Sequence, residues 1–109
     1  MGEPLTTIQN ATEIFVSAVT AGELACLQER NRIELSTHWR TWFQNGIKVN
    51  GWSVLPIDLE TMEEAYSLPG DFHSDLADRV ITATARLHRL TVLTTDRKIL
   101  DYPHVNSAW

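Results

Sequence analysis

The sequence predicts an α/β fold, a parallel sheet flanked by helices, and three observations predict it. Short apolar runs rich in β-branched residues recur along the chain. Longer segments with helical spacing and their own capping residues separate them. Toward the C-terminus, the helical run Asp75-Leu76-Ala77-Asp78-Arg79-Val80-Ile81-Thr82-Ala83-Thr84-Ala85 is followed by the strand-like Leu90-Thr91-Val92-Leu93-Thr94-Thr95-Asp96.

Element by element, Glu13 to Val19 reads as a buried strand. Thr20 is expected to cap a helix from Ala21 to Arg32, with Leu24, Ala25, Leu27 and Gln28 on neighbouring faces. Ser36 or Thr37 then caps a helix carrying an aromatic stripe of Trp39, Trp42 and Phe43, with Asn45-Gly46 as its stop. Trp52 to Ile57 is a second strand, and Pro56 puts it at a sheet edge or marks its end. Asp58 caps a helix from Leu59 to Leu68, which Pro69-Gly70 ends. Asp75 or Ser74 opens the next helix, which runs to His88. Its stripes Val80, Thr84, Leu87 and Ala77, Ile81, Ala85 adjoin one another, so it is expected to be buried on two sides. Thr91 to Thr95 is the third strand, Arg97 to Tyr102 a helical turn, and Val105 to Trp109 a last strand.

With 109 residues, 43% of them hydrophobic, residues 1–109 are expected to form one domain around one core, as a monomer or small oligomer. The 14 acidic against 9 basic residues give a net charge of −5, which argues against a tight non-specific grip on a polyphosphate backbone. A nucleic-acid substrate would need clustered Arg and Lys, or a metal to offset the acids. Cys26 stands alone, so an intrachain disulfide is excluded and a reducing cytoplasm is the simplest compartment. No apolar run approaches the roughly 20 residues of a membrane span, and no secretory core opens the chain. A soluble, cytoplasmic protein is expected.

Chemistry rests on carboxylates. In a parallel sheet, loops at the carboxyl ends of the strands form the ligand-binding edge. Asp96 sits at such an end, and Glu23, in the first turn of the helix after the first strand, projects to the same edge. Asp78 begins a helix whose far end feeds the Asp96 strand, which places it on the opposite edge in a simple crossover. The two meet only if the start of that helix overhangs the strand ends.

Phe15-Val16-Ser17-Ala18-Val19-Thr20-Ala21-Gly22-Glu23, Leu68-Pro69-Gly70-Asp71-Phe72-His73-Ser74-Asp75-Leu76-Ala77-Asp78-Arg79 and Leu93-Thr94-Thr95-Asp96 resemble, in order, the successive blocks of PIN domains. Within that family the chain looks like the VapC-like toxins of bacterial toxin–antitoxin modules. The resemblance implies a PIN-like parallel sheet and a ribonuclease that uses Mg²⁺ or Mn²⁺ to activate water against a phosphodiester. By position it implies that Glu23, Asp78 and Asp96 are the metal-site carboxylates, that Asp75 is auxiliary, and that Arg79 pairs an acid or a substrate phosphate. RNA and a cognate antitoxin are the implied partners.

The chain also departs from the family pattern. PIN domains usually open with an apolar strand ending in Asp, whereas Met1 to Asn10 preserves at best the end of the helix that follows it, and Glu3 is a poor substitute. An N-terminally truncated fold is therefore expected, with weak metal binding. The missing strand would lie in the middle of the sheet. Its loss would leave buried backbone groups unpaired, at about 1 to 3 kcal/mol each. The neighbouring strands are thus expected to close up on each other, or a homodimer partner or separately encoded segment to fill the gap. A recorded start downstream of the true one is a further alternative.

Two functions follow from different classes: a metal-dependent ribonuclease, weak or completed by a partner segment, and a catalytically inactive module that oligomerises or binds an antitoxin. The individual residues also have ordinary roles. Glu23 suits the helix dipole and Asp75 an N-cap. Arg79 suits charge neutralisation, and Cys26 a small packed side chain. His38, His73, His88 and His104 fall on different elements, which argues against a zinc site.

Overall fold

In the computed structural model, which describes residues 13–109, strand and helix alternate much as the sequence predicts. The elements are β1 (Phe15–Ser17), α1 (Val19–Glu29), α2 (Trp39–Asn50), β2 (Ser53–Leu55), α3 (Leu59–Ala65), α4 (Leu76–His88), β3 (Val92–Leu93), α5 (Arg97–Leu100) and β4 (Ser107–Ala108). The expectations about Met1 to Asn10, Glu3 included, lie outside the described residues. Both ladders are parallel: β1 pairs with β2, Phe15 opposite Ser53, and β3 pairs with β4, Val92 opposite Ser107. Among the described residues each ladder has two strands. The described residues divide into two compact units, Glu13–Pro56 and Ile57–Trp109.

In Glu13–Pro56 the first strand is shorter than expected because the chain turns into helix at once. Ala18 donates to the Leu55 carbonyl at 2.9 Å, and Ser17 Oγ accepts from the Val19 N–H at 3.2 Å. The N-cap of α1 is thus Ala18, with no side-chain cap bond, and Thr20 lies inside the helix. As a consequence Glu23 belongs to the second turn, not the first. For α2, His38 replaces the expected Ser36 or Thr37 as cap, its Nδ1 accepting from the Arg40 N–H at 3.2 Å. Gln28 assists from α1, accepting from the Trp39 N–H at 2.7 Å and donating to the Thr37 carbonyl at 3.0 Å. The helix passes through Asn45-Gly46 and stops at Gly51, where φ is +67°. An interior glycine costs only about 1 kcal/mol relative to alanine, too little to end a helix whose Phe43 is buried. Left-handed backbone at Gly51 ends it. Trp42 is exposed, so the aromatic stripe packs through Phe43.

In Ile57–Trp109 the caps follow the sequence. Asp58 Oδ1 accepts from the Thr61 N–H at 2.9 Å and the Thr61 hydroxyl at 2.7 Å. Asp75 caps α4, and that helix buries Ala77, Val80, Thr82, Ala83, Thr84 and Ala85, so both predicted stripes are used. Ala85, Val92 and Ile99 form the core with Phe72, Ile81, Leu90 and Val105 packed against it. α3 ends at Ala65, short of the expected Leu68, and the Ala65 carbonyl accepts from Arg79 Nη1 at 2.9 Å.

After His88 the chain reverses. Arg89 is left-handed, with φ +54°, and the Leu90 N–H donates to the Ala85 carbonyl at 2.8 Å. From Asp78 to Arg89 the helix climbs about 16 Å at 1.5 Å per residue. From Leu90 to Asp96 extended chain returns about 20 Å at 3.3 Å per residue. The rise and the return nearly match, so the end of the strand segment comes back beside the start of the helix.

Candidate metal centre

This reversal meets the condition for Asp78 and Asp96 to come together, because it brings the start of the helix to the strand ends. A helix feeding a strand through a tight reversal runs antiparallel to it, which puts the helix N-terminus and the strand C-terminus together. Asp78 is in the first turn of α4, and Asp96 is the N-cap of α5 just beyond β3. His73, from the segment between α3 and α4, joins them. One ligating atom from each of His73, Asp78 and Asp96 lies within 4.8 Å of the other two, and all three residues are half-buried.

Each carboxylate is set by local bonds. The Asp78 N–H donates to Asp75 Oδ1 at 2.9 Å, which ties the backbone of Asp78 to the cap. Its Oδ2 lies 2.6 Å from His73 Nε2, with the two side chains 22% and 23% exposed. The Asp96 N–H donates to Thr94 Oγ1 at 3.0 Å, and Asp96 Oδ1 accepts from the Lys98 N–H at 2.9 Å. Asp78 also gains from the partial positive charge at the start of α4.

The other sequence-derived candidates fall as follows. Asp75 is exposed and acts as the helix cap. Arg79, expected to pair an acid or a phosphate, donates from Nη1 to Ala65 O and, at 2.8 Å, from Nη2 to Phe72 O. Its guanidinium also lies over the rings of Tyr66 and Phe72, at 5.2 and 5.7 Å. It thus clasps the segment that carries His73. Glu23 is exposed in the second turn of α1, within Glu13–Pro56. Cys26, expected to be packed, is exposed. His73 is the member that sequence reading missed. Its signal was its place two residues before the α4 cap, at the same helix start as Asp78.

Two carboxylate oxygens and one imidazole nitrogen form a donor set suited to a small divalent cation. Octahedral donors about 2.1 Å from an ion lie about 3 to 4 Å apart. Donors that lie within 4.8 Å of one another reach that spacing through small side-chain adjustments.

Parallel ladders with helices between the strands, and acidic groups gathered where a strand end meets a helix start, define an α/β protein with a candidate cation site. The PIN domain family model matches residues 3–105, and the chain belongs to the PIN-domain family. It is 36% identical over 98 residues to Ribonuclease VapC22 of Mycobacterium tuberculosis, a match covering 89% of this chain and 73% of that relative. The VapC-like resemblance read from the three sequence blocks is thereby borne out.

Proposed function

We propose that this chain is a VapC-like ribonuclease, the toxin of a toxin–antitoxin module, and that it uses Mg²⁺ or Mn²⁺ held at Asp78 and Asp96. Glu23 contributes a third carboxylate in this reading, and Asp75 has an auxiliary role. The observation that carries the proposal is the convergence of Asp78 and Asp96 on one point from opposite ends of the α4–β3 reversal. Identity to a relative named a ribonuclease supports the substrate class.

When bound, such a cation supplies positive charge that activates water and stabilises the oxygens of the scissile phosphodiester. The chain's own residues supply the positioning. Asp75 holds the backbone of Asp78, Lys98 and Thr94 hold Asp96, and Arg79 holds the segment between α3 and α4. Phosphate contact by Arg79 would have to use the N–H groups left over from its two carbonyl bonds. A chain of net charge −5 gains affinity for RNA mainly through the bound cation.

Weak metal binding is part of the proposal, as is completion by a homodimer partner or an added segment. The two-stranded ladders among the described residues leave strand edges for such pairing. Residues 1–109 act as one domain in this reading, and the compartment is the cytoplasm. No described helix is long and apolar enough to cross a membrane.

The test is RNA cleavage under Mg²⁺ and Mn²⁺ titration, beside Asp78→Asn and Asp96→Asn. Metal-dependent cleavage that falls on the order of 100-fold or more in each variant is expected. No cleavage at any metal concentration, alone or with a partner, would favour the inactive oligomerising or antitoxin-binding module. Cleavage indifferent to both substitutions would place the activity elsewhere.

A further inference from the structure

We infer that His73 is a direct nitrogen donor to the cation of this site, and that it tilts the site's preference from Mg²⁺ toward Mn²⁺ and other borderline divalent ions. This rests on the metal-dependent reading above and adds to it a ligand that is not a carboxylate.

The imidazole is held in place by contacts other than the one with Asp78. Its ring stacks on Phe72, with centroids 4.4 Å apart and planes 25° apart. Phe72 is held in turn by a T-shaped contact with Tyr102 at 4.9 Å and by the Arg79 bond to its carbonyl at 2.8 Å. Tyr102 also donates to the Pro69 carbonyl, at the start of the same segment. A ring immobilised in this way has already lost the rotamer freedom that ligation would otherwise cost it.

The contact with Asp78 has a separation suited to ligation. His73 Nε2 and Asp78 Oδ2 lie 2.6 Å apart. Adjacent donors on an ion at about 2.1 Å sit about 3 Å apart, so a cation can replace this hydrogen bond when the two groups part by a few tenths of an ångström. Ligation through Nε2 requires the tautomer protonated at Nδ1, so the proton that Nε2 shares with Asp78 moves to Nδ1 or to solvent as the cation enters. First-row ions from Mn²⁺ to Zn²⁺ accept an imidazole nitrogen more readily than Mg²⁺, which takes oxygen and keeps its waters.

The experiment is Mn²⁺ and Mg²⁺ titration of the full chain, with pulsed EPR of bound Mn²⁺, on wild type, His73→Gln, Asp78→Asn and Asp96→Asn. Expected are a histidine nitrogen coupling in the wild type, its loss in His73→Gln, and a fall in Mn²⁺ affinity of about tenfold. Mg²⁺ affinity should move less than about threefold, since Mg²⁺ recruits oxygen donors. Bound Mn²⁺ without nitrogen coupling in the wild type would overturn the inference, and that readout needs no folded variant. So would coupling that persists in His73→Gln, which would assign the nitrogen to another histidine. An equal fall in affinity for both ions would make His73 a positioning residue acting through the Asp78 carboxylate, and would also overturn it. Each of these results leaves the metal-dependent reading standing. Absence of any saturable Mn²⁺ binding that depends on Asp78 and Asp96 would instead overturn that reading, and the inference with it.

Discussion

In Ile57–Trp109, α4 buries six of its residues and shares a core with β3 and α5, whereas in Glu13–Pro56 helix α1 buries none and Phe43 is the buried apolar side chain of α2. The two units use different means of holding their chain. The first adds close packing of small helix residues to its ladder and caps, whereas the second holds its helices through the His38 cap and the Gln28 bridge with little packing behind them. A cation site needs side chains held to within a fraction of an ångström, which packing provides and exposed hydrogen bonds do not. The His73, Asp78 and Asp96 cluster accordingly sits in the packed unit. Segments with few buried apolar groups open locally at lower free energy, which makes α1 the more labile helix.

Arg79→Ala should break this contrast most strongly. It removes two charge-assisted bonds to carbonyls and two ring contacts in the packed unit, and should cost about 3 kcal/mol by chemical denaturation. Arg79→Lys should recover only part of that, because an ammonium cannot reproduce the guanidinium fork.

Next in size is a matched pair of truncations. Val80→Ala removes a side chain that is 1% exposed and should cost about 2 kcal/mol, while Leu24→Ala on α1 should cost about 1 kcal/mol or less. Equal losses by urea titration would erase the distinction between the units.

The smallest effect is a dependence on pH. The Thr61 hydroxyl, and after it the Thr61 N–H, hold the Asp58 carboxyl below its ordinary value of 3.8. The folded chain therefore binds this proton less readily than the unfolded chain. The contribution is fully present above 3.8 and is lost as pH falls through the lower folded value. Asp58→Asn should flatten the acid side of the stability profile, and an unchanged slope in urea midpoints would show that other carboxylates set it.

Much of the fold was legible because it follows from short-range chemistry. Asp58 and Asp75 cap helices through bonds to residues three positions on, and Pro56 follows the end of β2 where its missing N–H does no harm. The two stripes of α4 announced burial on both sides. The misjudged boundaries had competing local signals. Asn45-Gly46 looked like a stop, but the left-handed turn came at Gly51, and Thr20 looked like a cap until the strand ended early at Ser17.

What the sequence determined by itself was the alternation of elements, the Asp58 and Asp75 caps and the family, since each is written in neighbouring residues. Tertiary structure decided the site. The reversal at Arg89 brings Asp96 back to Asp78, and Tyr102 and Arg79 pin the segment that delivers His73. The physical reason is distance along the chain. Tyr102 reaches a carbonyl 33 residues away, and no local spacing rule encodes a contact of that length.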